Sequence, residues 1–424
     1  MTDSDCVKTW FSKRKLGMFI HFGLYSIDGW HEQDQMRRKI PRKTYEKLSQ
    51  RFNPVNFNPD AILDLAEQAG MEYICLTTKH HDGFCLWDTK QTEFTIMNSP
   101  YSKDLLKELA DACHKRNFPL GIYYSVVDWH HPNYPNQGRH HELAEPEEGD
   151  VPDLPKYMDY LKAQVKELCS NYGEIRHFFW DMNVPEHKDP SINNMLRSLQ
   201  PNIVINDRGC DQGDFGTPER EYDKSKTDRH TQFNRPTEAC NSVGTQSWGY
   251  RENENYYSHT FLMQSIDNMM SKGANYLLNV GPDSKGNIPE VACDMLIKIG
   301  EWYNKVRNSF ADTQPCTELT TNQDVLLTKK DKILYVHLIP PVKSDAVILA
   351  PLSTIPHKAT ILNTGKELEC SKDILPMYWQ NREHVLRIKG LPRDLITGCE
   401  PLIIKLQFDE QLPMPLKKAK EFQG

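Results

Sequence analysis

Short apolar runs alternate with amphipathic stretches over roughly the first three quarters of the chain. All but one weaker run, at residues 242–248, carry hydrophobic side chains on nearly consecutive positions, which is typical of strands buried on both faces in a parallel sheet. Seven such runs occur, at residues 17–22, 71–78, 119–125, 177–182, 203–206, 242–248 and 275–280. The segments between them carry apolar residues at the spacing of one helical face, at 60–66, 104–113, 157–169 and 261–271.

This alternation predicts right-handed βαβ units and an α/β fold of the (β/α)8-like, TIM-type barrel kind, with an irregular or missing unit. An open, doubly wound sheet is the alternative. Nucleotide-binding sheets of that kind carry a glycine-rich phosphate turn, and neither GxGxxG nor GxxxxGK[ST] occurs in the chain. The barrel is therefore the favoured prediction.

The pattern changes after Val306. Short strand-like runs at residues 325–328, 333–338, 346–349 and 402–406 are separated by Lys, Asp, Pro and Asn. Such runs are typical of a small antiparallel β-sandwich. The sequence therefore predicts two domains, a catalytic barrel over residues 1–308 and a C-terminal antiparallel β-sandwich over residues 309–424.

The composition and charge argue against several classes of protein. A net charge of −7 argues against a nucleic-acid partner, and no apolar stretch is long enough to predict a membrane span. The eleven cysteines are too widely spaced for a CxxC metal or redox motif. The acidic, polar amino terminus does not resemble a secretory signal. We therefore expect a cytoplasmic protein, or a periplasmic or secreted one if a signal peptide has been removed.

Polar and aromatic side chains follow the predicted strands at the end where a barrel of this type builds its active site. They are His21, Lys79 to Phe84, Tyr123 and Tyr124, Asp128 to His131, Trp180 and Asp181, Asn206 to Arg208, and Trp248. Aromatic faces stack on the C–H surfaces of sugars, while His, Arg and Asp form directional bonds to hydroxyls. The set therefore predicts a sugar-binding pocket.

The same residues also have structural interpretations. His21 could be a hydrogen-bonded core histidine. His80 and His81 could bind a metal, but adjacent strand residues point to opposite faces and seldom chelate one ion, so we expect no metal. An ionised Asp181 at the end of a buried strand is costly without a partner. Arg208 would be that partner and would keep the carboxylate ionised, which suits a nucleophile.

Five motifs occur in a characteristic order along the predicted barrel. They are Lys15–Gly23 (KLGMFIHFG), Thr78–Phe84 (TKHHDGF), Gly121–Ser125 (GIYYS), Phe179–Asp181 (FWD) and Ser271–Pro282 (SKGANYLLNVGP). In amino-acid sequence and in order these motifs resemble those of the α-L-fucosidases of glycoside hydrolase family 29. The motifs TKHHDGF and SKGANYLLNVGP are the most specific. The architecture that this resemblance implies, a distorted (β/α) barrel followed by a β-sandwich, agrees with the pattern described above.

The resemblance implies an enzyme that hydrolyses terminal α-L-fucose with retention of configuration and without a cofactor. It places the nucleophile on Asp181. The fucose-binding residues that it implies, together with the aromatics expected to cover the sugar's methyl group, are His21, His80, His81, Tyr124, Arg208, Trp87, Trp129 and Trp248. The expected partner is a fucosylated oligosaccharide or glycoconjugate, with no nucleic acid and no membrane.

Two glutamates are candidates for the acid/base role that the resemblance implies. Glu219 lies in a DFGTPE segment that resembles the one carrying this residue in several family members. Glu238 occupies the position of a carboxylate assigned the role in others, and its apolar neighbours Ala239 and Cys240 would raise its pKa towards that of an acid. We favour Glu219, because Pro218 fixes its approach.

Other functions are compatible with parts of this pattern. A β-galactosidase-like specificity would use the same fold, because galactose shares the axial hydroxyl of fucose in mirrored form. A non-catalytic carbohydrate-binding protein would keep the aromatics and histidines without the nucleophile, and the presence of Asp181 argues against it. The oligomeric state and the preferred fucosyl linkage are not predicted, although the loop Asn133 to Asp153 is expected to rim the pocket.

Overall fold

Parallel strands separated by helices make up the first part of the structure. This computed structural model describes residues 3–182, 187–220, 230–338, 340–374, 384–412 and 421–422. The strands are β1 (Leu16–Ile20), β2 (Ile74–Lys79), β3 (Leu120–Ser125), β4 (His177–Asp181), β5 (Val204–Ile205), β6 (Gln232–Phe233), β7 (Glu238–Ser242), β8 (Asn275–Val280), β9 (Gln314–Pro315), β10 (Val325–Lys330), β11 (Ile333–Leu338), β12 (Ala346–Leu349), β13 (Lys358–Ile361), β14 (Glu369–Ile374), β15 (His384–Lys389), β16 (Leu402–Gln407) and β17 (Glu421–Phe422).

The helices lie between these strands or cap the sheet. They are α1 (Asp3–Lys13), α2 (Tyr25–Asp28), α3 (Asp34–Arg37), α4 (Arg42–Tyr45), α5 (Pro59–Gln68), α6 (Leu105–Lys115), α7 (Leu154–Asn171), α8 (Pro190–Leu199), α9 (His259–Ser271), α10 (Glu290–Val306) and α11 (Arg393–Ile396). Within the described ranges, none of them combines the length and apolar character that a membrane span requires.

The main sheet is parallel, with the strand order β5-β4-β3-β2-β1-β8-β7. Its longer strands are buried along their whole length, β2 and β8 among them, which is why they are apolar on consecutive positions. Helices begin at side-chain caps that the sequence supplies, for example Asp104 before α6 and Asp153 before α7. The prediction of a (β/α)8-like barrel is confirmed.

An irregular segment, residues 215–220, bridges the two edge strands of this sheet. It forms parallel bridges at Phe215 to Asn206 beyond β5, and at Glu219 to Cys240 on β7. The amide of Cys240 donates to the carbonyl of Pro218 at 3.0 Å, and the amide of Arg220 donates to the carbonyl of Cys240 at 3.2 Å. The predicted irregular unit is therefore this segment, and it brings Glu219 to the carboxyl end of the strands.

One predicted strand is wrong in position. The run 242–248 was expected to be the sixth strand, but β7 occupies Glu238–Ser242 and residues 243–248 form the loop after it. The strand escapes pattern recognition because it contains Glu238, Asn241 and Ser242, all fully or almost fully buried. Buried polar side chains of this kind are tolerated only where they find hydrogen-bond partners inside the fold.

Two antiparallel sheets follow α10. One has the order β13-β16-β11-β10-β9 and the other β12-β15-β14, and they enclose a separate apolar core that includes Leu327, Val336, Leu386 and Ile404. The predicted C-terminal β-sandwich is confirmed. We propose the domain division at residues 308 and 309 on the same grounds; residues 375–383 and 413–420 of the second part lie outside the described ranges.

Buried polar contacts join the sandwich to the barrel. His337 on β11 places its Nδ1 atom 2.8 Å from a carboxylate oxygen of Asp267 on α9, and both side chains are completely buried. The indole nitrogen of Trp302 on α10 donates to the carbonyl of Pro401 at 3.0 Å. These bonds satisfy polar groups that would otherwise be costly to bury, so the two parts pack as a continuous structure.

Candidate active site

A cavity of about 330 Å³ opens at the carboxyl ends of the parallel strands, where barrels of this type carry their chemistry. This volume is at the small end of the range for ligand-binding pockets. Seven of the eleven residues predicted for the site line it: His21, His80, His81, Asp181, Arg208, Glu219 and Trp248. The other four, Trp87, Tyr124, Trp129 and Glu238, do not.

Asp181 is the last residue of β4 and is 9% exposed. The hydroxyl of Tyr123 donates to its Oδ2 atom at 2.7 Å, and Nη1 of Arg208 lies 3.4 Å from its Oδ1 atom. Burial acts to raise the pKa of this carboxyl, but the charge of Arg208 and the bond from Tyr123 act in the opposite direction, and the pKa is lowered. Asp181 is therefore ionised at neutral pH.

Glu219 shares the same arginine. Nη1 of Arg208 donates to Oε1 of Glu219 at 2.5 Å, while Nη2 donates to the carbonyl of Thr217 at 2.5 Å. Burial and the negative charge of Asp181 raise the pKa of Glu219 although Arg208 acts in the opposite direction. Two carboxyls in one cavity thus have pKa values displaced in opposite directions, which is how an acid and a nucleophile are distinguished.

The separation of these two carboxyls follows from their common partner. Because oxygens of Asp181 and Glu219 contact the same nitrogen of Arg208, at 3.4 and 2.5 Å, they lie within about 6 Å of each other. Retaining glycosidases place their carboxyls roughly 5–5.5 Å apart, and inverting ones roughly 6.5–9.5 Å apart to admit a water. The limit, which applies to one oxygen of each carboxyl, is compatible with the retaining spacing.

The tautomer of His21 is determined by its neighbours. The side-chain amide of Asn279 donates to the carbonyl of Trp248 at 2.6 Å and to Oγ of Ser242 at 3.0 Å. Its Oδ1 atom therefore faces Nδ1 of His21, at 2.6 Å, and must accept a hydrogen bond from the N–H at Nδ1. Burial lowers the pKa of His21 to about 4, so the neutral ring keeps its lone pair on Nε2.

The same reasoning applies to His81. The hydroxyl of Ser125 donates to the carbonyl of Val127 at 2.7 Å, so it must accept from Nδ1 of His81, also at 2.7 Å. Burial lowers the pKa of His81 to about 3. Its Nε2 atom is therefore an acceptor; it lies 3.3 Å from Nδ1 of His141, which can donate to it, and 3.8 Å from Oδ2 of Asp181. Two neutral histidines thus present hydrogen-bond acceptors to hydroxyl groups that donate.

His80 and Trp248 provide ring surfaces in the cavity. The His80 ring stacks on Tyr123 with centroids 5.6 Å apart, and burial lowers its pKa well below the usual value. The indole of Trp248 stacks on His21 with centroids 5.3 Å apart. A neutral, partly aromatic wall of this kind can cover the apolar face of a sugar.

The tyrosine of the cavity is Tyr123, and the prediction of Tyr124 is wrong. The two residues are adjacent on β3 and so point to opposite sides of the sheet. Tyr123 faces the cavity and Asp181, whereas the Tyr124 hydroxyl donates to Oε1 of Gln164 on α7 at 2.7 Å. A strand buried on both faces shows no polar alternation, so its pattern cannot tell which tyrosine points inward.

Glu238 also lies away from the cavity, so the prediction that it is a candidate acid/base is contradicted. It is the first residue of β7, at the opposite end of the strand from the cavity, and is completely buried. The Tyr73 hydroxyl donates to its Oε2 atom at 2.5 Å, and Nε2 of His177 lies 2.9 Å from Oε1. Its role is to satisfy polar groups inside the barrel.

Trp87 and Trp129 are completely buried and do not line the cavity, contrary to prediction. The indole of Trp87 donates to Oε2 of Glu167 at 3.3 Å. The indole of Trp129 donates to the carbonyl of His141 at 2.8 Å, and its ring lies 5.4 Å from that of His81. Trp129 therefore supports residues of the cavity from behind, while Trp87 belongs to the packing between barrel and helices.

Several cavity residues were not singled out from the sequence. Glu32 and Gln33 come from the connection between α2 and α3, and His140 and His141 from the loop that was expected to rim the pocket. Glu32 is 2% exposed and accepts from the backbone amide of Trp248 at 2.9 Å. The polar run His31–Gln35 that follows Trp30 is the sequence signal for Glu32. Among the described residues, no group of three or more His, Cys, Asp and Glu side chains could hold a metal ion.

Comparison with known proteins identifies the family. The α-L-fucosidase family model matches residues 1–308, and the chain belongs to this family. It is 26% identical to the tissue α-L-fucosidase of Bos taurus over 406 residues, which cover 87% of this chain and 83% of that protein.

Solved structures of the same family are also similar. α-L-Fucosidase isoenzyme 1 from Paenibacillus thiaminolyticus has a TM-score of 0.86 and 31% identity, covering 97% of this chain and all of that one. The Thermotoga maritima α-fucosidase, solved in complex with a mechanism-based inhibitor, has a TM-score of 0.75 and 26% identity, covering 94% of this chain and 96% of that one.

The two neighbouring tyrosines allow a paired test of the site. Tyr123→Phe removes the bond that favours ionised Asp181, so the acidic limb of kcat/KM is expected to move to higher pH with a loss of roughly tenfold in rate. Tyr124→Phe leaves the buried Gln164 oxygen unpaired and should cost about 1–3 kcal/mol of unfolding free energy with kcat unchanged. The test is to measure pH–rate profiles and denaturant unfolding of both variants. A shifted acidic limb in Tyr124→Phe and an unshifted one in Tyr123→Phe would show that Tyr124 is the tyrosine of the site.

Proposed function

We propose that this protein is a retaining exo-α-L-fucosidase, a glycoside hydrolase that releases terminal α-L-fucose from oligosaccharides or glycoconjugates through a covalent glycosyl-enzyme. The observation that carries the proposal is the pair Asp181 and Glu219 around Arg208, within about 6 Å and with pKa values shifted in opposite directions. The family to which the chain belongs supports the same activity.

In the first step, a carboxylate oxygen of Asp181 attacks the anomeric carbon as the bond to the leaving oxygen breaks. Glu219 gives its proton to that oxygen, so the aglycone departs as a neutral alcohol. In the second step, Glu219, now a carboxylate, takes a proton from water, and the water oxygen displaces Asp181 from the anomeric carbon. Each displacement inverts the configuration, so the two together retain it.

Arg208 contributes to both steps by its position between the carboxyls. Its charge keeps Asp181 ionised for attack, and its bond to Glu219 holds the acid against the same centre. After the first step Glu219 becomes negative, and the guanidinium stabilises that charge until the proton from water neutralises it. The arginine is thus proposed to orient the pair and to balance its changing charge.

Sugar recognition is proposed to rest on the two acceptor histidines. Nε2 of His21 and of His81 would accept hydrogen bonds from fucose hydroxyls, with His80 and Trp248 providing ring surfaces beside them. A hydroxyl that donates to a neutral imidazole keeps its bond only while the ring stays unprotonated. Because burial holds the pKa of His21 near 4 and that of His81 near 3, this recognition persists through mildly acidic pH.

The absence of a cofactor and the cellular location are also proposals. No cofactor is proposed to take part, since attack, protonation and water activation are all assigned to side chains. A cytoplasmic location is also proposed, since eight of the eleven cysteines are buried and none has the close spacing of a CxxC redox or metal motif. Cell fractionation with an antibody to the native protein tests this location.

The function is tested by comparing 4-nitrophenyl α-L-fucoside with 4-nitrophenyl β-D-galactoside. We expect cleavage of the fucoside, with kcat/KM at least roughly a hundredfold higher than for the galactoside, about 2.7 kcal/mol of transition-state discrimination. Proton NMR of the early product should show α-L-fucose before mutarotation. Preferential cleavage of the galactoside, or β-fucose as the first product, would contradict the proposal.

A further inference from the structure

Arg220, the residue after Glu219, connects the acid/base segment to the wall of the sugar pocket. Its Nη1 atom donates to the carbonyls of Gly244 at 3.3 Å and Thr245 at 2.9 Å, and its Nη2 atom donates to that of Ser247 at 3.3 Å. Its guanidinium carbon also lies 4.6 Å from the ring centroid of Trp248. One cation therefore holds three carbonyls and an aromatic face of the loop after β7.

The backbone at this position is unusual. Arg220 has a φ of 44°, in the left-handed region that residues with a side chain rarely adopt. Its amide donates to the carbonyl of Cys240 at 3.2 Å, the last bond of the segment that closes the barrel. Such a conformation persists only where surrounding contacts over-determine it, and the guanidinium contacts supply that constraint.

Both ends of the connection are cavity residues. Glu219 precedes Arg220 directly, and Trp248 lines the cavity with its ring stacked on His21. The backbone amide of Trp248 is held separately by Glu32, at 2.9 Å. A movement of Arg220 would therefore displace the acid/base carboxyl and one sugar-facing wall together.

We propose that Arg220 is a positioning residue that fixes Glu219 and Trp248 relative to each other and so couples leaving-group protonation to the sugar wall. The inference rests on the proposed function, because it assumes that Glu219 is the acid/base. Arg220 itself does not line the cavity, so it acts through these two neighbours and takes no part in the bond changes.

The charge of Arg220 also affects the pKa of Glu219, and therefore the pH dependence of activity. Groups that face Glu219 are Asp181 from β4, Tyr123 from β3, Cys240 from β7, Arg208 from the loop after β5 and Arg220 beside it. Burial raises the pKa of Glu219, and Arg220 is among the charges that act to lower it. Removing this charge should therefore raise the pKa of Glu219 and extend activity to higher pH.

The test compares Arg220→Gly, Arg220→Lys and Arg251→Met. Glycine suits the left-handed backbone and removes only the side chain; lysine keeps the charge and loses the several carbonyl bonds. Arg251 is the matched control, because it also donates to a carbonyl, that of Trp30 at 2.6 Å, and lies 5.8 Å from the Trp30 ring. Each variant is assayed on an activated aryl fucoside and on a fucosyl disaccharide, with thermal unfolding measured alongside.

In Arg220→Gly we expect kcat/KM to fall roughly tenfold more on the disaccharide than on the aryl fucoside, because a poor leaving group depends on the positioned acid. The alkaline limb should move to higher pH, and Arg220→Lys should return it towards its original position. Arg251→Met should change neither quantity.

Equal losses on both substrates, or an unchanged alkaline limb in a folded Arg220→Gly, would overturn the positioning role while leaving the proposed function intact. If the glycine variant fails to fold, Arg220→Lys decides the question, since it must still lose more on the disaccharide. A wild-type protein that cleaves no α-L-fucoside would overturn both proposals together.

Discussion

Replacing Asp181 with Ala is expected to reduce kcat by at least roughly 10³-fold, about 4 kcal/mol in the barrier, because no covalent intermediate can form. Fucose should still bind, since His21 and His81 retain their acceptor atoms. Added azide should enter the space left by the carboxylate and attack the α-fucoside from the opposite face. The product would then be β-L-fucosyl azide, formed by a single inversion.

A surface carboxylate provides the control for this result. Asp324 in the sandwich pairs with Lys343 at 2.6 Å and is half-exposed, and exposed pairs of this kind contribute little to stability. Asp324→Ala should keep wild-type kinetics. Turnover of Asp181→Ala within tenfold of wild type, or formation of the α-azide, would show that another group is the nucleophile.

Replacing Glu219 with Ala is expected to give a loss that depends on the leaving group. On a fucosyl disaccharide kcat/KM should fall by about 10²–10⁴-fold, whereas an aryl fucoside with an acidic phenol needs little protonation and should lose less than roughly tenfold. Azide should accelerate turnover of the aryl substrate and give α-L-fucosyl azide, because the fucosyl-Asp181 intermediate still forms first. The alkaline limb of the profile should disappear, since the protonated form of Glu219 is no longer required.

Glu238 is the natural comparison, because the sequence offered it for the same role. Glu238→Gln should lower the unfolding free energy by several kcal/mol, since it disturbs a buried network with Tyr73 and His177. In this variant any loss of kcat/KM should be the same on the disaccharide and on the aryl fucoside. If the leaving-group effect followed Glu238 instead of Glu219, the acid/base assignment would be wrong.

The parts of the fold that follow from burial could be predicted. Strands buried on both faces must be apolar throughout, which is why β2, β3 and β8 stand out in the sequence. Parallel strands end on one side of a barrel, so His21, Asp181 and the residues after β2 were expected to meet, and they do. One apolar face predicted four helices, at 60–66, 104–113, 157–169 and 261–271, and the structure has them as α5, α6, α7 and α9, each somewhat longer than predicted. The helices α1, α8 and α10 were not predicted.

The parts of the site that depend on the direction in which a side chain points could not be predicted. Apolar neighbours on both faces hide which residue of a strand points inward, so the sequence does not distinguish Tyr123 from Tyr124. Trp87 and Trp129 carry the aromatic surface that a sugar favours, but large aromatics are equally suited to cores. Glu238 was misjudged because a buried glutamate reveals its partners only in three dimensions, when Tyr73 and His177 are brought beside it.

Long-range partners explain the remaining gaps. Arg208 was expected beside Asp181, but its bond to Glu219 depends on how segment 215–220 crosses between two strands. The orientation of His21 depends on Asn279, 258 residues away in the chain. Local pattern carries no information about such contacts, and they determine the protonation and the direction of the groups proposed to do the chemistry.

The central claim, that Asp181 forms the covalent bond to fucose, is tested most directly by trapping the intermediate. 2-Fluoro-fucosyl fluoride should inactivate the enzyme, because fluorine slows hydrolysis of the glycosyl-enzyme more than the activated fluoride slows its formation. Peptide mass spectrometry should then find one fluorofucosyl group on Asp181. A label on any other residue, or turnover of the reagent without labelling and with an inverted product, would contradict the account.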